Sequence, residues 1–230
     1  MHITAIQGDN SITIRQPFGS TDARSGARDA ALMRMIDVVV ALAAIVLLLP
    51  LLLIIVVALK LTSPGPVLFA HRRVGAGGRI FPCYKFRSMV VNSADVLEQH
   101  LARDADARAE WARDQKLRRD PRVTAIGRIL RRTSLDEVPQ IFNVLRGEMS
   151  LVGPRPIVEG EMVRYRQYIF DYMSVKPGIT GLWQISGRNN TTYRRRVALD
   201  TAYARNRSLG LDLAIMARTV PAVVFGSGCY

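Results

Sequence analysis

The chain has 230 residues, room for one domain with a short appendage. Charged residues make up 22% and hydrophobic ones 49%, which excludes both a disordered polyelectrolyte and a many-span transporter. A formal charge of +13 stands beside a positive mean hydropathy of +0.10, so a basic body coexists with a concentrated apolar segment.

Residues 1–30 lack periodicity and mix Gly, Ser, Asp and Arg, the composition of a mobile tail. Charges cancel over residues 1–37, where Arg15, Arg24, Arg28 and Arg34 face Asp9, Asp22, Asp29 and Asp37; residues 60–230 therefore hold the whole excess. Between these regions, Val38–Leu59 is an uncharged apolar run of 22 residues. At ~1.5 Å per residue it measures about 33 Å, against a hydrocarbon core of ~30 Å. It begins late, lacks a basic leader and ends without a small-x-small cleavage site, so it is read as membrane-inserted rather than as a cleaved signal. Pro50 interrupts it and leaves the Val46 carbonyl without its helical donor. A kinked single span and a hairpin entering and leaving on one face both fit. Arg24, Arg28 and Arg34 before the run and Lys60, Arg72, Arg73 and Arg79 after it give no asymmetry, which favours both ends on the cytoplasmic side.

Ser63-Pro64-Gly65-Pro66 stops the run. Short strands are expected over Val67–Ala70 and Ile80–Tyr84, around the Gly75-Ala76-Gly77-Gly78 turn. That turn is no dinucleotide fingerprint, because Ile80 stands where the third glycine belongs. A polar helix follows over residues 94–117, then short helices at Ile126–Arg131 and Asp136–Leu145. Two more cover Tyr193 to about Arg207 and Asp212–Val224. The fold class is mostly α with a few short strands (α+β). Cys83 and Cys229 are too few for a disulfide framework, and His2, His71 and His100 are too scattered for a metal site.

The densest chemical constellation is Arg128 to Gln140, where Asp136 and Glu137 follow a basic helix and open another. Ser134 and Glu137 have capping-box spacing, and Asp136 alone would serve as an N-cap. A helix N-terminus also suits phosphate, and an aspartate there can act as nucleophile or magnesium ligand. Arg155, set between Pro154 and Pro156, is a guanidinium with a restricted backbone, suited to bidentate phosphate recognition. Tyr84-Lys85-Phe86-Arg87-Ser88-Met89 alternates as a half-buried strand, and Lys176 to Arg188 is a glycine-punctuated loop carrying Trp183. A nucleic-acid binder would interleave aromatics with its basic residues; at 7% aromatic content few occur there. A non-catalytic, membrane-tethered basic binding protein remains the alternative.

Together Lys85-Phe86-Arg87-Ser88-Met89, Thr133 to Gln140, Gly147 to Pro156 and Lys176 to Gly181 resemble the bacterial sugar transferases, the small monotopic phosphoglycosyl transferases that load a polyprenyl-phosphate carrier. The likeness runs from about Met33 to Val224 and is nearest to short exopolysaccharide-initiating members. It departs at Val138, where leucine is common. The resemblance implies a re-entrant helix-break-helix hairpin at Pro50, with the chain divided into a tail (1–30), a membrane segment (31–61) and a cytosolic, membrane-associated catalytic domain (62–230). It implies Asp136 as nucleophile, Glu137 as its partner, and Mg2+ engaging the diphosphate, with Asp136 as its ligand. Lys85, Arg87 and Arg155 would grip phosphate or nucleotide, and Asp200 and Asp212 match acidic residues of the family's substrate region. The implied substrates are a UDP-sugar (galactose or glucose) and undecaprenyl phosphate, and the implied place is the cytoplasmic face of the bacterial inner membrane. Anionic lipids and downstream glycosyltransferases are expected partners; nucleic acid is not.

Overall fold

The computed structural model describes residues 23–114, 117–187 and 191–224. It opens with α1 (Ala23–Thr62), 40 residues of helix that contain Pro50. The division into two helices expected at Pro50 is not found. Proline fixes φ at a helical value and deletes one hydrogen bond, so the turns on either side can stay wound. Of the tail expected over residues 1–30, residues 23–30 belong to α1 and the rest lies outside the described residues.

One stripe of α1 is buried. Met33, Asp37, Ala41, Ile55 and Leu59 recur at helical spacing, and Ala44, Ile45, Leu51 and Leu52 fill the interval. The first half packs on Phe81, Cys83, Ile141, Val144 and Met149, the second on Phe86 and Leu130. Burying Ile55 and Leu59 stabilises the contact by about 1.5–3 kcal/mol each. The opposite face (Val39, Val40, Leu42, Val46, Leu47, Leu53, Ile54, Val57) is exposed, with Val46 at 74% and Leu47 at 79%. Arg28–Thr62 is long and apolar enough to cross a membrane. Even so, both of its halves rest on one body.

That body starts with an antiparallel hairpin, β1 (Leu68–Val74) and β2 (Ile80–Phe86), registered Phe69 to Lys85, His71 to Cys83 and Arg73 to Phe81. The expected strands were thus right in place and too short. The polar helix expected over 94–117 is two, α2 (Ser93–Arg103) and α3 (Ala105–Asp114). The break is at Asp104, whose backbone turns extended while its carboxylate accepts the Ala107 N–H at 2.9 Å. α4 (Ala125–Arg132) is capped by the Thr124 hydroxyl, and α5 (Gln140–Arg146) starts four residues later than expected because Pro139 occupies its N-cap. Beyond it β3 (Ser150–Val152), α6 (Met162–Tyr165), α7 (Ile169–Met173), β4 (Gly178–Thr180) and α8 (Leu182–Ile185) lead to α9 (Tyr193–Asn206) and α10 (Leu209–Val224).

β3 and β4 form a parallel pair that the sequence did not suggest, since each is only three residues long. The glycines explain their closeness. A Cβ on Gly178 would lie 2.1 Å from the Gly153 nitrogen, and one on Gly153 would lie 2.3 Å from the Lys176 carbonyl. The loop after β3 is thereby pressed against the strand that follows Pro177.

Candidate active site

Asp136 and Glu137 sit in a single 3-10 turn, Leu135–Glu137, between α4 and α5. Ser134 precedes it in the left-handed region at φ 57°, and the turn lacks the side-chain cap that the Ser134–Glu137 spacing led us to expect. The turn is aimed from below by α4, which leans on the end of β2. The Ser88 carbonyl accepts the Thr124 N–H at 3.1 Å, and the Arg131 Nε donates to the Ser88 hydroxyl at 2.8 Å.

Lys85 projects from β2 at the same point. Its Nζ lies 2.6 Å from Glu137 Oε1 and 3.9 Å from Asp136 Oδ2. Asp136 is 8% exposed. Burial pushes its carboxyl up to about 6; Lys85 and Arg131 oppose that rise, while Glu137 adds to it. Asp136 is therefore a buried carboxylate with raised basicity, beside a cation engaged chiefly by its neighbour. Such a group can attack an electrophilic phosphorus. The two carboxylates also make a hard-oxygen donor pair of the kind magnesium accepts when substrate phosphates complete its shell. Among the described residues no cluster of three His, Cys, Asp or Glu forms a ready-made metal cage.

Arg155 lies in the loop after β3. Its guanidinium carbon is 5.8 Å from the Trp183 ring centre, and that of Arg196 is 4.6 Å from the same ring. Arg164 and Arg196 also approach Tyr193. Trp183 Nε1, Tyr193 Oη and Arg196 Nε are buried with no hydrogen-bond partner among the described residues. Three orphaned donors around stacked guanidiniums are ready to meet an oxygen-rich ligand.

The remaining expected residues are placed differently. Arg87 donates to the carbonyls of Ser63 at 2.7 Å and Pro64 at 2.8 Å, so it fastens the linker that leaves α1. Asp200 is 1% exposed and accepts the Tyr165 hydroxyl at 2.7 Å and the Arg155 backbone N–H. Asp212 is 5% exposed and accepts the Tyr203 hydroxyl at 2.7 Å; the same hydroxyl oxygen lies 3.0 Å from the Val152 carbonyl. Both aspartates thus brace the loop that carries Arg155 from beneath. Pro50 lies on the exposed side of α1.

Two residues counted only as flanking charge turn out to fasten α1. Arg34 donates to the Val144 and Leu145 carbonyls at 2.5 and 2.8 Å, at the C-terminal end of α5 where a cation is favoured. Asp37 accepts the Ser150 hydroxyl at 3.0 Å and the Leu151 N–H at 2.8 Å. A charged pair three residues apart, just ahead of an apolar run, was the available signal.

The family model for bacterial sugar transferases matches residues 28–226. The chain belongs to that family. It is 55% identical over 166 residues to an undecaprenyl-phosphate galactose phosphotransferase of Salmonella typhimurium, covering 72% of this chain and 35% of that protein. The exopolysaccharide production protein ExoY of Rhizobium meliloti is 48% identical over 197 residues, 86% of this chain and 87% of its own. A UDP-glucose:undecaprenyl-phosphate glucose-1-phosphate transferase of Escherichia coli is 42% identical, and 39% of it is covered. The chain thus spans about a third of the Salmonella relative and most of the Rhizobium one. Membership agrees with the resemblance carried by the four motifs.

Proposed function

We propose that this chain transfers sugar-1-phosphate from a UDP-sugar to undecaprenyl phosphate and releases UMP, as the first step of exopolysaccharide repeat-unit assembly. The observation that carries the reading is the buried Asp136, its carboxyl raised to about 6 beside the Lys85–Glu137 pair. An Asp136 oxygen attacks the sugar-bearing phosphorus. The bond from that phosphorus to the bridging oxygen breaks, and UMP leaves with the electron pair. A phosphate oxygen of the carrier then attacks the aspartyl phosphate, and the phosphorus–Asp136 bond breaks to return the carboxylate. Splitting the transfer in two gives ping-pong kinetics.

Lys85 holds Glu137 away from the attacking carboxylate and offers positive charge to the phosphates. Arg155, with Arg196 and the orphaned donors around Trp183, grips the nucleotide end. Asp200 and Asp212 act by positioning the Arg155 loop, and Arg87 by fixing the linker from α1. Mg2+ bound by Asp136 and Glu137 would neutralise charge developing on the diphosphate. Galactose or glucose is the sugar, by likeness to the relatives named above.

For topology, the fastening of α1 at both ends supports a re-entrant segment in the bacterial inner membrane. Arg34 and Asp37 tie its start to the body and Arg87 ties its exit, while Val46 and Leu47 stand exposed between them. The body then lies on the cytoplasmic face, its basic surface toward anionic headgroups and incoming UDP-sugar. UMP release from purified membranes, across a panel of UDP-sugars with and without undecaprenyl phosphate, tests the reaction. Asp136→Asn should abolish both turnover and capture of labelled sugar-phosphate on the protein; full activity in that variant would remove Asp136 from the role.

A further inference from the structure

The two ends of the site are joined by one face of the β1–β2 hairpin. Paired residues share a face, so Lys85 with Phe69, Cys83 with His71 and Phe81 with Arg73 point to the same side; Phe81 and Cys83 there are buried in the core, while Phe69, His71 and Arg73 of β1 keep partial exposure. Lys85 stands at the acidic pair. Arg73 stands at the other end, donating to the Pro156 carbonyl at 3.2 Å beside the Arg155 loop. His71 lies between them. Its Nδ1 is buried and meets no hydrogen-bond partner among the described residues. A buried imidazole nitrogen left unpaired near Arg73 and Lys85 calls for an explanation.

We infer that His71 is a further substrate-binding residue, hydrogen-bonding the diphosphate of the nucleotide sugar where it passes from Arg155 to Asp136. This rests on the phosphoglycosyl transfer reading above and adds a residue that none of the four motifs contains. Burial first, then the neighbouring Arg73 and Lys85, lower the affinity of His71 for a second proton; Glu161 opposes them weakly. The ring is thus neutral at neutral pH and supplies one N–H. It adds a neutral directional donor between the guanidinium and ammonium groups at either end. A neutral donor also costs less to bury between two cations than a third charge would. Its place on a paired strand, rather than a loop, fixes the ring relative to Lys85.

The test uses the full chain in membranes, with initial rates of UMP release from UDP-galactose and UDP-glucose. His71→Phe keeps the ring volume and removes the nitrogens. It should raise KM for the UDP-sugar about tenfold and leave KM for undecaprenyl phosphate within twofold, with thermal stability unchanged. His71→Gln, which restores a donor, should recover most of the loss. Unchanged UDP-sugar KM in His71→Phe overturns the inference. So does an equal loss toward both substrates, or failure of His71→Gln to recover, since a packing role would give either. If wild-type membranes release no UMP from any UDP-sugar while binding UDP, the reaction reading fails; UDP affinity of His71→Phe, measured by calorimetry on the purified protein, then decides His71 alone. Loss of UDP affinity supports the contact, and equal affinity refutes it.

Discussion

Lys85 gives its ammonium to Glu137 at 2.6 Å. Asp136, next in the chain, is left 3.9 Å from the same nitrogen. One cation therefore serves adjacent carboxylates unequally: the more exposed one is paired, and the buried one keeps a carboxyl raised to about 6. This separation of roles suits the nucleophile proposed for Asp136, ionised near neutral pH with only a long contact to the cation.

The first prediction is a pH profile. On the proposed mechanism only ionised Asp136 attacks, so UMP release should fall toward tenfold per pH unit below about 6 and level off above it. Lys85→Met removes a partner that lowers the Asp136 value, and should move the acidic limb to higher pH. Glu137→Gln removes one that raises it, and should move the limb lower. Limbs that stay put in both variants would exclude Asp136 as the titrating group.

The second concerns stability. Burial raises the Asp200 carboxyl from 3.8 to about 7, against the Tyr165 hydrogen bond and the Arg196 charge. With the native value above the unfolded one, the protonated form is what the fold favours. Its stabilisation is complete below about pH 4 and is lost as pH rises through 7. Asp200→Asn should flatten the fall in Tm between pH 5 and 8. Parallel Tm profiles for the variant and the wild type would refute this.

Third, Gly153→Ala puts a Cβ 2.3 Å from the Lys176 carbonyl, a backbone atom that cannot step aside. We expect a loss of about 1–3 kcal/mol and a Tm lower by several degrees, with activity falling further because the loop bears Arg155. Gly160→Ala, where nothing lies within 4 Å, is the control and should move stability by no more than about 0.5 kcal/mol.

The acidic turn was legible because its pattern is local: two carboxylates, a proline and a basic helix lie within thirteen residues of sequence. The apolar run was legible for the same reason. What escaped was long-range. No spacing shows that Asp200 and Asp212 end up buried against tyrosines, since Tyr165 is 35 residues from Asp200. Arg87 looked like a phosphate ligand because it shares a motif with Lys85, but it lies just past the end of β2 and its guanidinium bonds the Ser63 and Pro64 carbonyls of the linker. Arg34 and Asp37 bond partners more than a hundred residues away. The three-residue strands are held by glycine contacts, which no periodicity reports.

A fourth prediction follows from the fastening of α1. In a Cys229→Ser background, with Cys83 buried, single cysteines at Arg28 and Ser63 should both react with a membrane-impermeant maleimide only in inside-out vesicles. Labelling of the two sites from opposite sides would establish a span.

The buried stripe of α1 bears on where the protein can be cut. Cleavage at Pro64 would strip Ala41, Ile55 and Leu59 from their seats and bare Phe81, Phe86, Leu130 and Val144 to water. The remainder would be an aggregating fragment rather than a soluble enzyme. In this architecture the long apolar helix enters two of the four hydrophobic clusters among the described residues, so the body depends on it to close that part of its core.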